Sequence, residues 1–246
     1  MLDVSVREVV KILSIKYSGE YWRDHLEQWY RKKLESNPEE ALKFIAGWSF
    51  ARAGAEQAGY GDLAMEAIDD AIKYYNNSFH ELMLSKRAPD VVWNFFKKKC
   101  NEKGIKANER LNKNLLKCIV ELAREVPGNN IYTYLAELLV KDPLKAYIKL
   151  ISVKGIGEKI ASFILRDIAV LQKNLENRIP KEFLYLLQPI DVWVRRISYI
   201  LWPELFPKSV ICERKSLPSH IIALKITNEC TKYGYSTLKF NQGAWY

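Results

Sequence analysis

Apolar positions along this chain recur at helical intervals almost from end to end. Val4, Val9, Ile12, Leu13 and Ile15 mark an amphipathic stretch over residues 3–16, and Tyr21, Trp22, Leu26, Trp29 and Tyr30 mark another over 20–35. Asn37-Pro38-Glu39-Glu40 is a helix start: a capping side chain, proline in the first turn, then acids suited to the positive helix end. The helix it opens carries Leu42, Phe44, Ile45, Trp48 and Phe50, and the Ala- and Gly-rich residues 51–61 predict a break. A helical period resumes from Leu63 to Tyr75 and is interrupted at Asn76-Asn77-Ser78. Gly104 marks a turn, and Pro127-Gly128-Asn129-Asn130 reads as a loop. Asp142-Pro143 repeats the cap-plus-proline start and leads into Leu144, Tyr147, Ile148 and Leu150. Further on, Ile160, Ile164, Ile168 and Leu171 form one stripe, with Lys159, Phe163 and Arg166 on another face. Pro180 opens a short helix ending near Leu187. Asp191 precedes a stripe of Val194, Ile197, Ile200 and Leu201, and two last helices start at Leu217-Pro218-Ser219 and at Ser236. No strand pair, internal repeat or low-complexity tract breaks this pattern, so the expected fold is all-α.

Composition narrows the class of partner. The chain has 246 residues, 48% hydrophobic and 12% aromatic, enough to bury a substantial core and too apolar for disorder. Its net charge of +9 favours a polyanionic partner. The most basic region runs from Trp93 to Ala123, with Lys97, Lys98, Lys99, Lys103, Lys106, Arg110, Lys113 and Lys117. A DNA-facing surface and a solvated helix face both fit it. No signal peptide and no membrane-spanning apolar run are evident, so an intracellular, cytoplasmic protein is expected. Cys100, Cys118, Cys212 and Cys230 are widely spaced, and His25, His80 and His220 do not fall at zinc-ligand intervals. The expectation is buried thiols and no metal cofactor.

One stretch carries chemistry. Ser152-Val153-Lys154-Gly155-Ile156-Gly157-Glu158-Lys159 predicts a hairpin between two helices. Glycine takes positive φ there and, lacking Cβ, admits close approach to the backbone, whose amides beside a helix N-terminus suit one phosphate. Ile156 should point inward and pin the turn, while Val153 and Lys154 complete the expected phosphate-binding set. Such a clamp reads no bases. Lys159 lies on the first turn of the next helix, and Asp191 comes later, just after Pro189. Alone, Lys159 is an ordinary solvated residue and Asp191 an ordinary N-cap. Together beside a phosphate clamp they suit cleavage of a base–sugar bond. The amine would attack the sugar C1′ once made neutral, by burial or a cationic neighbour, and the carboxylate would stabilise positive charge on the sugar.

These residues resemble the helix-hairpin-helix DNA glycosylase superfamily, whose bifunctional members have Gly-x-Gly-x-Lys and a later Pro-x-Asp. The resemblance implies a two-lobed helical fold with the active site in the interlobe cleft. One lobe, built from both termini, would span residues 1–70 and 176–246; the other, carrying the hairpin, 71–175. The longer lysine-to-aspartate interval is most similar to the archaeal 8-oxoguanine DNA glycosylase branch. That likeness implies a bifunctional glycosylase and AP lyase acting on damaged double-stranded DNA as a monomer, with 8-oxoguanine the foremost substrate. It gives Phe163 the role of stacking on the extruded base. It places Trp245 and Asn241 in the base pocket, with Pro189, Gln57 and Trp93 as further lining. Asn241 departs from the acid of that branch, which keeps a different damaged base open. Some relatives carry a four-cysteine iron–sulfur cluster after the aspartate; only Cys212 and Cys230 lie there, so no cluster is expected. A non-catalytic DNA-binding protein that keeps the clamp is the second class of function, and a helical protein-interaction scaffold a third.

Overall fold

A computed structural model describes residues 5–31, 34–50, 59–172, 174–203 and 217–246, and every element among them is helical. The chain divides into two compact units, Met1–Gln28 with Leu165–Tyr246, and Trp29–Ile164. The divisions fall at 28/29 and 164/165 rather than near 70 and 175. Helix packing gives the reason at the first of these, because the helix opened by Asn37 packs within the middle unit.

The terminal unit begins with α1 (Val6–Ile12) and α2 (Ser18–Tyr21), joined by a π-helical stretch at Leu13–Tyr17; a second, Trp22–Leu26, leads into α3 (Glu27–Arg31), which crosses the division at 28/29. The two separate helices expected here are one continuous run, whose caps all keep right-handed helical angles. A π turn inserts an extra residue and shifts the buried face. Tyr21 and Leu26, five apart, are accordingly both buried. This shift is why the apolar stripe looks untidy as sequence.

The middle unit holds α4 (Pro38–Phe50), α5 (Tyr60–Tyr74), α6 (Phe79–Leu84), α7 (Ala88–Glu102), α8 (Leu111–Glu125), α9 (Ile131–Lys141) and α10 (Pro143–Ile151). α4 packs on α5, α8 and α9, α7 lies against α5 and α8, and α10 packs on α9. An aromatic cluster fills the unit around α4, with the Trp29 ring 5.3 Å from Phe44 and 6.0 Å from Trp48. Its helix starts follow local chemistry. Asn37 Oδ1 accepts from the Glu39 and Glu40 amides, and Asp142 Oδ1 from Lys145 N at 2.9 Å. Asn76 and Asn77 leave the helix with positive φ, 55° and 61°, before Ser78 caps α6.

α11 (Glu158–Leu171) runs across the division between the units. Residues 160–169 are all buried, so the two-faced helix predicted from its apolar stripe is instead enclosed on every side. Short 3₁₀ turns at Glu176–Arg178 and Lys181–Leu187 lead to α12 (Val192–Leu201), and the unit closes with α13 (Ser219–Tyr233) and α14 (Thr237–Trp245). α14 crosses the Leu13–Tyr17 stretch and packs on α2, α12 and α13. The crossing depends on Gly243, because a Cβ there would run into the Leu13 carbonyl group.

Candidate functional site

In the middle unit the hairpin after α10 is a wound, anchored turn. Val153 N donates to the Leu150 carbonyl at 3.0 Å, and Ile156 N donates to the Val153 carbonyl at 2.9 Å. Val153 and Ile156 are buried, so Ile156 pins the loop from within, as its place between two glycines predicted. Lys154, Gly155 and Gly157 face solvent. Among the described residues the amides of Lys154, Gly155 and Gly157 make no bond to a backbone carbonyl. They stand at the N-terminus of α11, where unspent N–H groups and the helix dipole attract an anion.

The two glycines do different work. Gly155 has φ +101°, and a Cβ on it would sit 3.1 Å from Leu115 Cβ, so fold geometry demands glycine. Gly157 has open space where its Cβ would be. Gly155→Ala is therefore expected to cost about 1–3 kcal/mol of stability through backbone strain and overpacking. Gly157→Ala should stay within about 1 kcal/mol of the parent; if the turn is the phosphate clamp that the sequence predicts, the variant should still weaken duplex DNA binding, since its methyl fills the approach to the amides. Thermal melts and anisotropy titrations check both; a Gly157→Ala protein that binds DNA as the parent does would remove the clamp.

Lys159 lies on the first turn of α11 and is exposed, so burial does not supply the neutral amine. Among the described residues neither Lys154 nor Lys159 is in an ion pair. The basic stretch on α7 and α8 contrasts with this. There Lys97 pairs with Glu109 at 2.8 Å, Lys99 with Asp70 at 2.9 Å and Lys117 with Asp90 at 2.9 Å; Lys98 and Lys113 also approach acids. Of the two readings open for that region, a self-paired surface fits this arrangement better than a DNA face. Phe163, given the stacking role, is only 1% exposed, and Trp93 is buried with its ring 5.7 Å from that of Phe96. Gln57 lies outside the described residues.

The terminal unit holds Asp191, half-buried at the N-cap of α12. Its Oδ1 accepts from Trp193 N at 2.9 Å and Val194 N at 2.8 Å. Among the described residues no hydrogen bond is made to Oδ2. Close by in sequence, Trp193 and Ile197 of α12 line a cleft of about 470 Å³ with Leu13, Tyr17, Ala244 and Trp245. Trp193 is 57% exposed, with the Arg196 guanidinium 5.1 Å from its ring centre. Trp245 is half-buried, edge-on to Tyr21 at 5.6 Å and to His25 at 5.7 Å. The lining of the cleft is apolar and aromatic.

Asn241 does not line that cleft. It is fully buried, its Oδ1 accepting from Arg166 Nη1 at 2.8 Å and its Nδ2 donating to the Pro189 carbonyl at 3.3 Å. Pro189 is itself buried. Sequence reasoning misses the Arg166 network, although an adjacent Arg166-Asp167 pair inside an apolar helix is its signal. Burial opposes the Arg166 charge, but Asp167, Tyr21 and Asp191 outweigh it and hold the guanidinium above its ordinary value. Cys100 and Cys230 are buried, and burial pushes the Cys100 thiol up to about 11; Cys212 lies outside the described residues. Among the described residues no three His, Cys, Asp or Glu side chains group as a metal site, and no helix is long and apolar enough to cross a membrane. No family model matches the chain, and neither a curated protein nor a solved structure matches it.

Proposed function

We propose that the protein is a DNA N-glycosylase with AP-lyase activity, of the helix-hairpin-helix glycosylase fold, acting on oxidised purines in double-stranded DNA. The observation that carries this reading is the hairpin: a turn pinned by Ile156, with unspent amides and exposed lysines at the mouth of α11. It supplies a phosphate grip next to an amine. The duplex would be held through its backbone while the damaged nucleotide is extruded, at a cost of a few kcal/mol. Lys159, once neutral, attacks C1′; the glycosidic bond breaks with its electron pair leaving on the base, which takes up a proton. Asp191 stabilises the positive charge that develops on the sugar. The sugar ring opens to an imine on Lys159, loss of a C2′ proton expels the 3′-phosphate, and water releases the lysine. The aromatic cleft lined by Trp245 is the place we assign to the base.

Two observations favour narrower alternatives. The exposure of Lys159 suits a DNA-binding protein without catalysis, and the engagement of Asn241 suits a damaged base other than 8-oxoguanine. A panel of duplexes, each with one lesion, tests all three in single-turnover assays. Excision with strand nicking of at least one oxidised purine is expected, and affinity should fall steeply with salt. Salt-dependent binding without excision on any duplex would leave only the non-catalytic reading. Binding that does not depend on salt would remove DNA as the partner.

A further inference from the structure

The segment leading into Asp191 is fastened to α14 at two points one helical turn apart. Gln188 Nε2 donates to Thr237 Oγ1 at 2.9 Å, and Asn241 Nδ2 donates to the Pro189 carbonyl at 3.3 Å. Thr237 and Asn241 share a helix face by their spacing of four. Behind Asn241 stands Arg166, fully buried, whose Nη1 donates to Asn241 Oδ1. With its oxygen taken by a guanidinium, the amide must turn its NH₂ toward the Pro189 carbonyl. Arg166 is itself locked. Its Nε donates to Asp167 Oδ1 at 2.8 Å and its Nη2 to the Tyr21 hydroxyl at 2.7 Å. That hydroxyl donates to Asp167 Oδ2 at 2.7 Å, and Gln242 Nε2 donates to Asp167 Oδ1 at 3.0 Å. A buried ion pair is weak support for stability, because desolvation offsets its attraction. This one sets the orientation of Asn241, whose bond to the Pro189 carbonyl lies two residues before Asp191 and next to buried Ile190.

We propose that Asn241, oriented by Arg166, is a positioning residue that sets where the Asp191 carboxylate stands, and that it does not read the base. The inference rests on the reading of Asp191 as the acid of the reaction.

Asn241→Asp separates positioning from base reading by opposite signs. The carboxylate keeps the Arg166 bond, loses the donor to Pro189 and sets negative charge against a carbonyl oxygen. A base-reading residue would gain from the change, since an acid accepts from both N1–H and the exocyclic amine of a guanine-type lesion. Positioning predicts that single-turnover excision falls about 10²-fold at unchanged lesion affinity. It also predicts about tenfold faster hydrogen exchange, without DNA, at the Trp193 and Val194 amides that Asp191 Oδ1 holds. Unchanged exchange, or faster excision, would overturn the proposal. A parent protein inactive on every lesion would defeat the proposed function instead, and exchange would still decide the positioning. Should Asn241→Asp fail to fold, Asn241→Ala removes the same donor to the Pro189 carbonyl without adding charge. Its Trp193 and Val194 amides should exchange faster, and parent-like exchange there would overturn the proposal.

Discussion

Asp191→Asn is expected to fold and bind lesion DNA as the parent does, and to release the base about 10²–10³-fold more slowly. The substitution is close to isosteric. Asparagine offers the same acceptor to the Trp193 and Val194 amides, and the two residues rank alike as N-caps, so α12 should keep its start. What changes is charge. The negative oxygen left over after capping is the only part of this side chain that can stabilise a cationic sugar, and the mutation removes it. Melting temperature and lesion affinity measured beside single-turnover rates divide the two roles. Near-parent excision by Asp191→Asn would reduce the residue to a helix cap and leave the reaction without its acid.

Chemistry confined to a few neighbouring residues is legible in the sequence alone. Asn37, Asp142, Asp191 and Ser236 each cap the helix that their sequence announces. The hairpin is legible for the same reason, down to the inward turn of Ile156. What sequence hides depends on partners far along the chain. Gly155 and Gly157 read alike as letters, and only Leu115, packed beneath the first, makes one a demand of the fold, while the second has open space at its Cβ position. Asn241 matches a base-reading position by spacing from Trp245, yet Arg166 and Pro189, both distant in sequence, take its hydrogen bonds. Phe163 sits where a stacking ring is expected along α11, but enclosure of that helix buries it. The π-helical stretches near the N-terminus escape a search for a 3.6-residue period, because an inserted residue breaks that period while the helix continues. The aromatic cleft is half visible in the sequence: Trp245 stands out there, whereas Trp193 and Tyr17 gain meaning only from the crossing that Gly243 permits.

The Arg166 network also explains how an amide stands where an acid is expected. Asp167 already neutralises the guanidinium in the buried interior, so an acid at position 241 would add a second buried negative charge beside it. An amide satisfies Arg166 with its oxygen and Pro189 with its nitrogen, which no ionised carboxylate can do.

Borohydride trapping tests most directly whether Lys159 is the nucleophile. An imine between the lysine and the lesion sugar is reduced to a stable amine, leaving a protein–DNA adduct whose position peptide mapping reports. A nucleophilic Lys159 should give an adduct on duplexes with an oxidised purine, mapped to Lys159. In Lys159→Gln trapping and strand nicking should vanish while binding largely survives, since only one positive charge among many is lost. If Lys159 instead serves only as a phosphate contact, the same variant should bind more weakly with a shallower salt dependence, and the parent should give no adduct. An adduct on another lysine, or none on any lesion despite firm DNA binding, would contradict that role for Lys159.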